Sequence, residues 1–176
     1  MTREELEIGL SLGSNLGDRL ANFERAIHRI AHMPGVRIVD QSPIYETEPV
    51  DVEEGHRRFQ FLNSVVIIAY TETTAESVRG LMRRFQHIED TMGHPRTGPR
   101  NAPRRIDIDI VYAGDLTIDT EDLTVPHRRW AERRFVVAPL CDVRPDLRLP
   151  GASQAVRAIL AGLPEQPAAT RLADEQ

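Results

Sequence analysis

The 176-residue chain contains no lysine; all 22 of its basic residues are arginine. Every lysine-based mechanism is thereby excluded, including the Gly-Lys-Ser/Thr ending of a P-loop. A single cysteine, Cys141, excludes an internal disulfide and a cysteine-built metal site. It follows the apolar run Phe135–Leu140 and is expected to be a core thiol. Aromatic residues make up only 5%, few for a module that stacks RNA bases on exposed strands. No apolar run is long enough to cross a bilayer. The opening Met-Thr-Arg-Glu-Glu has no signal-peptide pattern, so the expected compartment is the cytoplasm. A net charge of −5 argues against a general nucleic-acid binder.

What is present suffices for one folded domain: 40% of the residues are hydrophobic. The expected domain spans 1–163, and residues 164–176, rich in Ala, Glu and Pro, are expected to be a flexible tail. Residues 7–13 read as a strand, with Ile8, Leu10 and Leu12 alternating against Gly9 and Ser11. Gly13-Ser14-Asn15-Leu16-Gly17-Asp18 turns the chain, with Asn15 and Asp18 as alternative caps for a helix bearing Leu20, Phe23, Ile27 and Ile30 on one face. Val36–Gln41 is a second strand, Pro43–Pro49 is extended, and residues 51–58 read as a mobile loop. Phe59–Tyr70 is the longest strand candidate, and Thr74 begins a helix with Val78, Leu81, Met82, Phe85 and Ile88 on one face, ended by Gly93. A strand at 106–112 follows; Pro126 starts a short helix, and Ser153 caps a last helix through Leu163. Strand–helix–strand–strand–helix–strand is the ferredoxin-like α+β pattern, a βαββαβ core whose helices pack on one face of an antiparallel sheet, here with an added C-terminal helix.

The positive charge is concentrated in two islands. Arg96, Arg100, Arg104 and Arg105 precede Ile106-Asp107-Ile108-Asp109-Ile110, in which period two sends the isoleucines one way and both aspartates the other. An exposed strand face pairing with arginines would explain an isolated Asp-x-Asp. Acids that collect a divalent cation beside arginines that collect phosphate are also what phosphoryl transfer requires. The second island runs from His127 through Arg128, Arg129, Arg133 and Arg134 to Phe135, a set able to hold a triphosphate. Asn63 shares a strand face with Phe59, Phe61, Val65 and Ile67; it either bonds neighbouring backbone or reads the polar edge of a flat heterocycle stacked on Phe61. The Gly13–Gly17 turn reads as a tight turn with a helix cap in preference to a phosphate cradle.

The segments Leu12-Gly-Ser-Asn-Leu-Gly-Asp18, Tyr45-x-Thr47, Phe61-Leu-Asn63, Ala102-Pro-Arg-x-Ile-Asp-Ile-Asp109, Leu123-Thr-Val-Pro-His127 and Arg133-x-Phe135 together resemble the 6-hydroxymethyl-7,8-dihydropterin pyrophosphokinases of folate biosynthesis. The resemblance implies a ferredoxin-like α+β fold and transfer of a pyrophosphoryl group from ATP to the pterin's hydroxymethyl oxygen, releasing AMP. It implies two Mg²⁺ ions on Asp107 and Asp109, which with Arg96 and Arg104 form the catalytic set. Arg96, Arg104, His127 and Arg133 would contact the triphosphate, and Gln86, Glu89 and Thr124 would approach ATP. Thr47, Val50, Phe61, Asn63 and Phe135 would hold the pterin, the two rings sandwiching it. Partners would be the two small molecules alone, with no nucleic acid and no membrane, and the chain would act as a monomer. His94, Asn101, Glu48 and Arg128 stand where members carry arginine, tryptophan, proline and tyrosine. No general base beyond metal and phosphate is expected, and loop closure by residues 51–58 and 93–101 is expected to exclude water. Two other classes compete: a nucleotidyltransferase, whose product would be pyrophosphate, and an RNA-binding or regulatory module using the arginine islands.

Overall fold

Leucine or isoleucine at every second position buries one face of a strand, and β1 (Leu6–Ser14) buries Ile8, Leu10 and Leu12 in this way. The computed structural model describes residues 4–48, 60–93 and 102–172. β1 runs between β4 (Phe61–Tyr70) and β5 (Asp107–Ala113), antiparallel to both. The far edge of β4 is shared: β2 (Val36–Gln41) pairs with its second half and β3 (Tyr45–Thr47) with Phe61–Asn63. A short strand near the C-terminus, β8 (Ala169–Arg171), adds to β3 and completes the order β5-β1-β4-β3-β8. β6 (Ile118–Asp119) and β7 (Thr124–Val125) form a separate two-stranded ribbon.

Two helices cover the face that carries Ile8, Leu10 and Leu12. α1 (Arg19–Ala31) is capped by Asp18, whose Oδ1 accepts from the Ala21 N–H at 3.1 Å. Its buried stripe holds Phe23, Ala26 and Ile30; Leu20, expected on that stripe, is 48% exposed, and Asn22 is buried there instead. α2 (Ala75–Thr91) opens with a capping box between Thr74 and Ser77 and buries Val78, Leu81, Phe85 and Ile88 against the same core.

The expected order is present as β1-α1-β2-β4-α2-β5, but helices occupy both faces. α3 (Arg134–Val143) and α4 (Val156–Gly162) pack on the opposite side over Val65, Ile67 and Val111, with Trp130, the sole tryptophan, buried among them. The cause lies in β4, where Val66 and Ile68 enter one core while Val65 and Ile67 enter the other.

Three boundaries also differ from expectation. Pro126 starts no helix, because the His127 N–H is held by the Val111 carbonyl at 2.9 Å; the helical turn is a 3₁₀ turn at Trp130–Glu132. α4 begins three residues past Ser153, its first turn tied back by Val156 N–H to Leu147 O and Arg157 N–H to Pro145 O at 2.9 and 3.0 Å. Residues 164–176, expected to be a flexible tail, contain β8. Backbone bonding to β3 and its flanks holds residues 168–172, a cause that the Ala- and Pro-rich composition conceals.

Candidate active site

Strand register assembles the site on the face turned away from α1 and α2. Pairing of β1 with β4 and β5 sets Asn63, Gly13 and Asp107 in one row across the sheet, and Val65, Ser11 and Asp109 in the next. Residues separated by 50 to 98 positions in sequence therefore become lateral neighbours. Gly13 makes this possible, since a Cβ there would lie 3.2 Å from Asn63 Oδ1 and 3.8 Å from Phe61 Cδ1. On the next strand, Thr47 Oγ1 accepts from Asn63 Nδ2 at 2.6 Å, which fixes the amide and leaves the threonine proton free to donate.

The row opens into a cavity of about 580 Å³. Thr47, Phe61 and Asn63 line one end and Arg104, Asp107 and Asp109 the other; His127 and Arg133 enter from the segment joining β7 to α3, and Phe135 from the first turn of α3. Nine of the expected site residues thus share one space. Gln86, Glu89 and Thr124, expected to approach ATP, do not line it. Arg96 and Val50 lie outside the described residues, as do the two segments expected to close over the ligands, Gly93 apart.

The charges are strongly coupled. Arg104 Nη1 donates to Asp107 Oδ1 at 2.9 Å. Its backbone is tied to Asn15, whose Oδ1 accepts from the Arg104 N–H at 2.7 Å and whose own N–H donates to the Arg104 carbonyl at 3.1 Å. Asn15, one of the two candidate caps, instead ties the β1 turn to the arginine segment. Burial, reinforced by Asp107, pushes Asp109 up to about 7, against the pull of Arg133 and Arg104. Glu89 is 7% exposed and lies beneath β5, its Oε1 accepting from the Ile108 N–H at 2.6 Å. Burial and the nearby Asp107 push it up to about 8. Glu89 is therefore a support for the strand that carries the aspartates, not a cavity group.

His127 is lowered below its ordinary value by burial and by Arg133. Its Nδ1 accepts from the Arg129 N–H at 3.1 Å, so the neutral ring carries its proton on Nε2. The Arg133 guanidinium sits 5.5 Å from the Phe135 ring centroid and braces that ring. Sequence reasoning missed Ser11, Glu132, Val136 and Pro167 among the lining residues. The alternation against Leu10 and Leu12 marked the face of Ser11, whereas Pro167 had no signal at all.

Asp107 and Asp109 are the residues able to hold a cation. Their oxygens suit a hard ion, and Asp109, raised by burial and then by Asp107, carries a charge cost that such an ion would relieve. No three His, Cys, Asp or Glu side chains converge as a metal cage among the described residues. Remaining ligand positions would fall to phosphate oxygens and water, the habit of Mg²⁺. No helix among the described residues is long and apolar enough to cross a membrane.

Carboxylates able to take a cation, arginines able to take phosphate, and an amide beside two phenyl rings share one cavity on an α+β sheet, a set suited to a polyphosphate and a flat heterocycle. Comparison with known proteins makes this specific. Residues 9–145 match the family model described as 7,8-dihydro-6-hydroxymethylpterin-pyrophosphokinase (HPPK), and the chain belongs to that family. It is 39% identical over 155 residues to the 2-amino-4-hydroxy-6-hydroxymethyldihydropteridine pyrophosphokinase of Methylorubrum extorquens, covering 88% of this chain and 91% of that one. It is also 39% identical over 157 residues to the folic acid synthesis protein fol1 of Schizosaccharomyces pombe, covering 89% of this chain but 20% of that protein. The chain spans about a quarter of the plant bifunctional folate synthesis proteins it matches. Among solved structures, a Plasmodium falciparum HPPK-DHPS crystallised with pterin and p-hydroxybenzoate shares the fold, with a TM-score of 0.69 at 16% identity over 91% of this chain and 44% of that one.

Proposed function

We propose that this chain transfers a pyrophosphoryl group from ATP to the hydroxymethyl oxygen of 6-hydroxymethyl-7,8-dihydropterin, a step of folate synthesis carried out by a cytoplasmic monomer. One observation carries the reading: the aspartate pair with its arginines and the amide with its phenyl rings face a single cavity. The alcohol oxygen attacks the β-phosphorus, the bond from that phosphorus to the α,β-bridging oxygen breaks, AMP leaves with the bridging oxygen, and the alcohol proton passes to solvent. Asp107 and Asp109 would hold two Mg²⁺ ions, which supply charge neutralisation when bound. Arg104, Arg133 and the Nε2–H of His127 point positive charge and a donor at the phosphates, with Arg96 a further phosphate contact. Phe61 and Phe135 stack the pterin while Asn63 and Thr47 read its polar edge. With reacting oxygen and phosphorus held in one cavity, positioning supplies most of the acceleration.

The test is product identity. With ATP, Mg²⁺ and the hydroxymethyl-dihydropterin, the nucleotide formed should be AMP, with no free pyrophosphate. ADP would indicate simple phosphoryl transfer, pyrophosphate would indicate nucleotidyl transfer, and either would overturn the proposal.

A further inference from the structure

The family match stops at residue 145, yet the chain beyond it comes back to the cavity. After α4 it passes Arg134, whose Nη1 donates to the Pro164 carbonyl at 3.3 Å. Pro167 then forms part of the cavity wall. From there the segment is bound to β3 along its length. Glu48 N–H donates to Ala168 O at 3.4 Å, Thr47, Glu46 and Tyr45 pair with Ala169, Thr170 and Arg171, and Leu172 N–H donates to Ile44 O at 2.8 Å. Side chains fasten the far end. Arg171 Nε donates to Tyr45 Oη at 3.0 Å, and Tyr45 Oη donates to Asp142 Oδ2 at 2.5 Å. Arg171 also pairs with Asp142, and its guanidinium lies 5.9 Å from the Tyr45 ring centroid.

We propose that residues 163–172 form a strap that completes the pterin end of the cavity, with Pro167 as a specificity-determining wall residue and Arg171 as a positioning residue acting through Tyr45 and β3. The proposal rests on the pterin reading above. β3 has only three residues, and without β8 it would be a bare edge beside β4. It nevertheless carries Thr47, the group that orients Asn63. Pairing on its outer side and the Arg171–Tyr45–Asp142 lock hold that short strand in register, and through Thr47 they hold the amide. An exposed arginine–carboxylate pair alone would contribute little. Here Tyr45 is buried, Asp142 is half-buried on α3, and the three groups join two strands to a helix. Sheet order assigns the consequence: the strap lies at the β8 end, across β3, β4 and β1 from Asp107 and Asp109 on β5. Its loss should therefore be felt by the ring substrate and not by the phosphates.

Steady-state kinetics on the full chain with Pro167→Ala and Arg171→Ala tests this. Each variant should raise KM for the hydroxymethyl-dihydropterin by about tenfold while KM for MgATP stays within about twofold. A merely structural role would loosen both substrates together. Pro167→Ala removes only ring carbons from the wall, so it carries the test if Arg171→Ala does not fold. An unchanged pterin KM in Pro167→Ala overturns the proposal, as does an equal rise of both KM values in a folded Arg171→Ala. A wild-type chain that forms no AMP overturns the reaction and the strap with it; an active wild type beside unaffected variants overturns the strap alone.

Discussion

Asp107 and Asp109 are placed by nothing more than the two-residue period of a strand, and their chemistry follows from being neighbours. Replacing either by Ala removes a carboxylate proposed to hold a cation while leaving the isoleucines that anchor β5 in the core. Turnover should fall by at least about a hundredfold in a chain that still unfolds cooperatively, and a variant retaining near-normal rate would remove the pair from the mechanism. Glu89 makes a different prediction. It is raised to about 8 and Asp109 to about 7, so both hold protons more tightly in the folded chain than in the unfolded one. The stability this confers is full below the ordinary carboxylate range and is lost as pH rises through the folded values. Without metal, Tm should therefore decline across the window from about pH 4 to about pH 8. Glu89→Gln keeps an acceptor for the Ile108 N–H and removes the titration, so its decline should be shallower by a few degrees; an identical slope would contradict the assignment. That role was hidden in the sequence, because helical spacing places Glu89 beside Phe85 and Ile88 without saying which carboxylates stand across the interface.

At the scale of elements, the strands and the two helices over the first core were legible, because alternation and caps are local signals. Asp18 and Thr74 stand where capping chemistry requires, and β1, β4 and β5 follow from β-branched and aliphatic alternation. The second layer was not legible. α3 carries Pro139 in its interior, which breaks the helical signature of an apolar run, and β8 depends on pairing with a strand more than a hundred residues earlier. The site's halves were each legible as motifs, but their meeting depends on register, and two glycines of β1 enforce it. Gly13 makes room for Asn63. Gly9 makes room for Tyr112: a Cβ would lie 2.2 Å from its Cε1, and the ring is pinned by Oη donation to Glu7 at 2.6 Å, a carboxylate also held by Arg144. Gly9→Ala should destabilise the fold by about 2 kcal/mol, read as a shifted urea midpoint. Gly13→Val should fold yet lose pterin affinity, because Asn63 is held by Thr47 and has no room to yield. Unchanged pterin binding by a folded Gly13→Val would show that the row tolerates spreading.

Viewed whole, the molecule carries a net charge of −5 yet turns Arg104, Arg129, Arg133 and Arg134 toward one cavity. Glu48, Asp107, Asp109 and Glu132 line the same cavity and offset these charges; with the cations that Asp107 and Asp109 would hold, the local field turns positive and favours an anion at that opening. Raising salt from about 0.02 to about 0.3 M should increase KM for MgATP severalfold and leave KM for the uncharged pterin nearly constant, and equal effects on both would argue against that field. Similar sequence occurs both in a protein of similar length and inside a much longer folic acid synthesis protein, and the fold recurs within a longer solved chain. The site described here is consistent with both settings, since all its described lining residues come from one sheet and the segments beside it. Trp130 adds a practical consequence. The chain's one indole is buried in the turn whose backbone bonds link it to His127 at 3.2 Å and Arg133 at 3.3 Å, the neutral donor and the cation proposed to face the phosphates. Its fluorescence should therefore change when nucleotide is added if the turn holds the phosphates, a change readable on the unlabelled protein without a coupling enzyme.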